Sequence, residues 1–234
     1  MRRIFTLVAL LSLFAAGAQD QQINQPDTTL PVEFERQFYI YSLAKKYNDV
    51  NTSINALYNM LSIYPNNQAV MDSLAKTYYE YNKYFSAALL SRDIVQLNPS
   101  DKLAMEIAAL SFDNVGLKDQ AVDFYEKMYL EDNNIGVLYR MAFLQYELKR
   151  FAEASTSIEI MLESEEAAKQ EVYFPINDKE NQAVNLKAAV HRLKGMVLEA
   201  QGQIEEAKKS YLNALEVQGD FVLAQKQLSE LTKK

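Results

Sequence analysis

A period of 34 residues constrains this 234-residue chain more than any other feature. Tyr64-Pro65-Asn66-Asn67 and Asn98-Pro99-Ser100-Asp101 lie 34 residues apart, and the same step carries small residues from Ser53 to Ala87 to Ala121. The series continues at Ala154 after 33 residues and at Ala207 after 53, one period plus about 19 inserted residues. Seven positions beyond each small residue stands Met60, Ile94, Met128, Met161 or Ala214, so packing residues carry the period as well as turns. Self-similarity at this length marks a stack of one repeated unit.

Inside each unit the apolar residues follow helical spacing. Met71, Leu74, Ala75 and Tyr78 make one face, as do Met105, Ala108, Ala109 and Phe112. After a short break a second helix repeats the pattern, with Ala121, Phe124, Tyr125 and Met128 in one unit and Ala207, Tyr211, Ala214 and Leu215 in another. Each unit is therefore a helix-turn-helix hairpin. Gly116 and Gly202 stand at two of the turns, where glycine adopts positive φ without strain. Pro65 and Pro99 follow second helices, which proline helps to stop.

The composition removes most enzyme designs. No cysteine means no disulfide, no thiolate metal site and no cysteine nucleophile, and His191 is the only histidine. No phosphate loop, zinc pattern, calcium loop or serine elbow is present, so neither a cofactor, a metal nor a catalytic residue is expected. Glu163, Glu165 and Glu166 read as a solvated helix face, and His191 as a packing residue or groove contact. The net charge of −7 opposes nucleic acid.

Met1-Arg2-Arg3, an apolar run from Ile4 to about Ala16 and the small residues Ala16-Gly17-Ala18 read as a signal peptide over residues 1–18. The run falls short of the ~20 apolar residues that span a bilayer, so no stable membrane insertion is expected after cleavage. Export without cysteine suits the bacterial periplasm, with secretion or surface association as alternatives.

These residues resemble the tetratricopeptide repeat (TPR) proteins. Residues 68 to 101 place Leu74-Ala75, Tyr78, Ala87 and Pro99 at the family's large, small, aromatic, small and proline positions, and residues 188 to 221 supply Gly195, Gly202, Ala207, Tyr211 and Ala214-Leu215 at family positions. The first copy departs with Tyr41 at a small position, the fourth lacks the proline, and the fifth has Lys194 at a large apolar position. The resemblance implies an all-α, right-handed superhelical solenoid of about five repeats, at 34–67, 68–101, 102–134, 135–168 and 188–219. A linker at 19–33 precedes this array of residues 34–219, and an insertion at 169–187 interrupts it. Phe221, Ala224, Leu228 and Leu231 form one stripe of a segment otherwise polar, which predicts a capping helix over 220–234.

In the family the first helix of each pair lines a concave groove. Carried onto this sequence, the groove positions are Phe38, Ser42 and Lys45; Asp72, Lys76, Tyr79 and Glu80; Glu106, Leu110 and Asp113; Tyr139, Phe143 and Tyr146; and Arg192, Met196 and Glu199. Tyr139, Phe143 and Tyr146 form the expected centre, with inter-repeat packing as the alternative for that trio. The lysine- and asparagine-rich clamp of TPR co-chaperones is absent, since its positions carry Phe38, Ser42, Ser73, Leu103 and Ile107. Aromatic faces beside carboxylates favour a peptide with apolar anchors and basic residues. The expected function is a non-catalytic protein-protein interaction module, an adaptor or assembly scaffold of the cell envelope, existing as a monomer or weak homo-oligomer. The alternative is a self-associating structural component.

The insertion carries Val172, Tyr173, Phe174, Pro175 and Ile176. Pro175 predicts a break in helix, and Asn177 or Asp178 followed by Glu180 predicts a new helix start, about two turns earlier than usual. The apolar cluster either covers repeat core or forms part of a binding edge.

Overall fold

The computed structural model describes residues 30–233, so the segment read as a signal peptide and most of the linker lie outside the described residues. Five helix hairpins follow one another: α1 (Val32–Lys46) with α2 (Val50–Ile63), α3 (Gln68–Glu80) with α4 (Tyr84–Leu97), and α5 (Lys102–Asn114) with α6 (Lys118–Asp132). Then come α7 (Ile135–Glu147) with α8 (Phe151–Glu163), and α9 (Leu186–Ala200) with α10 (Ile204–Val217). A single helix, α11 (Val222–Thr232), closes the array. Each helix packs on the next in chain order, which makes an all-α solenoid. Among the described residues no helix is long and apolar enough to cross a membrane.

The turns inside the hairpins are built alike. Asn48, Asn82, Gly116, Lys149 and Gly202 all adopt positive φ, between 58° and 80°. One residue later an N–H reaches back over the helix end, as from Asp49 to Ala44, Lys83 to Tyr78, Leu117 to Phe112, Arg150 to Gln145 and Gln203 to Leu198. This closure satisfies carbonyls that a helix C-terminus leaves unbonded. Glycine thus marks only two of five equivalent turns; asparagine, which tolerates the left-handed region, serves two more, and Lys149 sits there at a steric cost.

Side chains cap the first helices of the second, third and fourth hairpins, whereas α4, α6, α8 and α10 start without a side-chain cap. Asn67, Asp101 and Asn134 accept hydrogen bonds from the N–H groups of Val70, Ala104 and Val137, which caps α3, α5 and α7. The small residues of the period are buried where two helices of a hairpin approach: Ser53, Ala87, Ala121, Ala154 and Ala207. Large side chains fill the spaces between, among them Leu74, Ile94, Phe112, Leu138, Ile158 and Tyr211.

The insertion departs from expectation. No helix begins at Asn177 or Asp178; instead β1 (Glu171–Pro175) and β2 (Asn181–Asn185) form an antiparallel hairpin, with Val172 opposite Val184 and Phe174 opposite Gln182. Asn177 turns the chain by accepting from the N–H groups of Lys179 and Glu180. Helix α9 starts at Leu186, capped by Asn185, and is two residues longer than α3, α5 and α7 rather than two turns. Gln218 holds β2 from the side, its Oε1 accepting from Asn185 N and its Nε2 donating to Ala183 O. Gln182 reaches onward, accepting from Val222 N at the first turn of α11 and donating to Asp220 O.

Helix α11 lays Phe221, Ala224 and Leu231 against the array and keeps Gln225, Lys226, Ser229 and Glu230 in solvent. Its polar outer side is what the end of a stack requires.

Candidate functional site

Two pairs of consecutive first helices touch, α3 with α5 and α7 with α9, while no pair of consecutive second helices meets to the same extent. The stack therefore curves with its first helices on the inner side. That inner face begins with a cavity of about 260 Å³ between α1, α2 and α3, lined by Leu30, Phe34, Phe38, Tyr41, Met60 and Val70 among others. Phe34 and Phe38 are one turn apart and Tyr41 follows at helical spacing, so a single stripe of α1 forms one wall. Phe38 stands at the mouth and is 56% exposed. Its lining is mostly apolar, which suits an apolar side chain.

Asp72 immediately precedes Ser73 of the cavity wall. Its Oδ1 is buried without a hydrogen-bond partner among the described residues, and burial, reinforced by the Asp101 carboxylate, pushes its pKa up to about 6. The nearest cation in sequence, Lys76, is directed to Glu80 at 3.9 Å. Further along, Tyr79 packs edge-on against Tyr84 at 5.6 Å, and burial raises the pKa of its hydroxyl. Arg140 pairs with Asp113, its Nε donating to Oδ2 at 3.0 Å, and its guanidinium lies 5.8 Å from the ring centre of Phe143.

The C-terminal part of the face is closed over. Arg192 is buried, its Nε donating to Gln227 Oε1 at 2.6 Å and its guanidinium lying against both rings of the Phe174–Phe221 pair, 5.5 and 5.9 Å from their centres. Tyr139 is buried too, and burial pushes its hydroxyl up to about 12 against the opposing pull of Arg192 and Arg140. His191 is half-buried; burial, with Lys187 and Lys194 nearby, lowers its pKa and keeps the ring neutral near pH 7. Among the described residues no cluster of three potential metal ligands occurs.

No protein-family model matches the sequence, and no curated protein matches it. Solved structures match well in shape. The crystal structure of MamA protein has a TM-score of 0.61 at 17% identity, over 80% of this chain and 92% of that one. YrrB, described as a TPR protein with an unusual peptide-binding site, has a TM-score of 0.62 at 12% identity, over 81% and 89%. A tetratricopeptide repeat protein from Parabacteroides merdae ATCC 43184 gives 0.60 at 14%, over 85% and 72%. The chain has the tetratricopeptide repeat fold.

The TPR positions read from the sequence can now be placed. Phe38, Lys45, Lys76 and Glu106 are exposed on the first helices, and Asp72, Tyr79, Leu110, Asp113, Phe143, Tyr146 and Met196 are half-buried there. Two residues need correction. Tyr139 is core, packed between repeats, and Arg192 is covered by the β-hairpin and α11, so neither presents a free surface. Phe143 and Tyr146 pack on each other at 6.2 Å, and Tyr146 on Phe151 at the same separation. The expected centre of the site is therefore largely consumed by packing, and the open apolar hole lies at the N-terminal end instead.

Sequence reasoning missed Arg140, which neutralises Asp113 and covers Phe143, and the cavity wall around Phe38. A signal for the wall was present: Phe34, Phe38 and Tyr41 share one side of α1, and Tyr41 departs from the small residue that the TPR pattern places there.

Proposed function

We propose that this chain is a non-catalytic interaction module, an adaptor or assembly scaffold of the bacterial cell envelope, that holds a protein or an extended peptide along the inner face of its first helices. One observation carries the reading: the apolar cavity at Phe38 is followed on the same face by Asp72, a half-buried carboxylate with no ion-pair partner among the described residues. An apolar side chain fills the first and a lysine or arginine answers the second, and burying both together favours a segment that carries them a few residues apart. The exported location rests on the apolar run at Ile4 to Ala16, the small residues that follow it and the absence of cysteine.

The test starts from affinity capture in the native envelope and proceeds to titration of the captured protein. Phe38→Ala is expected to weaken binding by about 2 kcal/mol, roughly thirtyfold, as an exposed anchor losing its contact does. Asp72→Asn should remove the preference for a basic residue. Equal affinity for wild type and the Phe38→Ala/Asp72→Asn double variant rejects this face as the site. Tyr139 is unsuitable as a probe, because truncating a buried side chain reports on stability.

A further inference from the structure

The two ends of the solenoid are treated differently. At the C-terminal end α11 turns a polar side to solvent, whereas at the N-terminal end the outer side of α1 carries Val32, Tyr39, Leu43 and Tyr47, exposed by 82%, 64%, 37% and 70%. Steps of seven, four and four put these four side chains on one stripe, opposite Phe34, Gln37 and Ala44, which face the array. An uncovered stripe of this kind at a solenoid end is a liability for solubility. Residues 19–29 of the same chain hold one large aliphatic residue, Ile23, and so lack the apolar side chains to cover it.

The charges on the stripe point to its occupant. Glu35 and Lys46 flank it on the same side, and neither has an ion-pair partner among the described residues. Helix α1 is acidic in its first turn and basic in its last. A two-fold axis across such a helix returns each residue to the same flank with the chain direction reversed, so Glu35 of one copy meets Lys46 of the other, and the pair occurs twice. At about 1.5 Å rise per residue, the register that levels Glu35 with Lys46 brings Tyr39 within about 1.5 Å of the height of Leu43 in the second copy, and Val32 within about 3 Å of Tyr47. The ionic and the apolar matches thus select one register.

We propose that a second copy of this chain docks on the outer side of α1, antiparallel and two-fold symmetric, closing the N-terminal end of the solenoid as α11 closes the other. A 15-residue helix is about 22 Å long and offers less area than the ~800 Å² per partner of a standard stable interface, so the dimer is weak and concentration-dependent. It leaves the inner face free and stands or falls independently of the peptide-binding reading.

Sedimentation velocity of the full chain from about 1 to about 200 μM tests it, with a dissociation constant expected in the tens of micromolar. Glu35→Lys and Lys46→Glu each turn two attractions into two repulsions and should weaken the dimer about tenfold, while the double reversal restores it. Tyr39→Glu should leave a monomer with an unchanged far-ultraviolet circular dichroism spectrum. A chain that stays monomeric throughout, or a dimer indifferent to both single reversals or to Tyr39→Glu, overturns the proposal. So does a full chain that is monomeric while a chain starting at Leu30 dimerises, since the N-terminal segment would then be the cover.

Discussion

Gly195 on α9 sits beneath the ring of Tyr211, and a Cβ added there would lie 2.5 Å from Tyr211 Cε1. Tyr211 is fully buried and its hydroxyl donates to Glu199 at 3.0 Å, so the ring has no room to yield. Gly195→Ala should destabilise the chain by about 1–3 kcal/mol by overpacking, read as a lower urea midpoint at constant slope. Asp72 makes a prediction of opposite sign. Its folded pKa near 6 exceeds its ordinary 3.8, so the folded state binds the proton more tightly and stability falls as pH rises from about 4 to 6. Asp72→Asn should therefore stabilise the free protein above pH 6, by about 1 kcal/mol once solvent screening is allowed for, and have little effect at pH 4. A urea midpoint for Asp72→Asn that tracks wild type at both pH values would remove Asp72 from its buried setting. A partner's cation beside Asp72 favours the ionised form, so binding should weaken as pH drops through 6.

At the scale of the element, ten helices were legible because each repeats a local pattern: apolar residues at three- and four-residue steps, a small residue where two helices approach, and a punctuating turn. The positive-φ turns at Asn48, Asn82 and Lys149 were less visible than those at Gly116 and Gly202, since only glycine announces that geometry in a sequence. The β-hairpin was not legible, and the reason is physical. An isolated two-stranded ribbon is marginal in water, and Asn177 with Glu180 is as good a helix cap as a turn. What decides the matter comes from afar: Gln218 bonds to β2 across 33 and 35 residues, and Phe174 lies on Phe221 at 5.4 Å. The closing over of Arg192 was hidden for the same reason, because that hairpin and α11 cover it, whereas Tyr139 is buried between repeats. Phe174→Ala should cost about 2 kcal/mol and speed hydrogen exchange in the hairpin and at the start of α11. Tyr173→Ala, on the solvent side of the same strand, should stay within about 0.5 kcal/mol of wild type.

For the molecule as a whole, a stack in which each repeat touches only its neighbours distributes damage by distance. Removing residues 221–234 takes Phe221 from its contact with Phe174, Leu231 from its cluster with Ala207 and Tyr211, and Gln227 from Arg192. The loss of two large buried side chains amounts to about 3–5 kcal/mol, and a buried guanidinium is left without its hydrogen-bond acceptor. A melting temperature lower by about 10 °C is expected, together with lower solubility as the outer sides of α9 and α10 meet water. An unchanged melting temperature for the truncated monomer refutes the role of α11 as a cap. The pattern of hydrogen exchange adds a sharper criterion. If coupling runs only between neighbours, protection should fall most in α9, α10 and the β-hairpin, less in α7 and α8, and least in α1 to α4. A uniform loss from α1 to α10 would mean that the five repeats unfold as one cooperative body, in which case binding at the Phe38 end and capping at the Leu231 end are thermodynamically linked across the whole length of the solenoid.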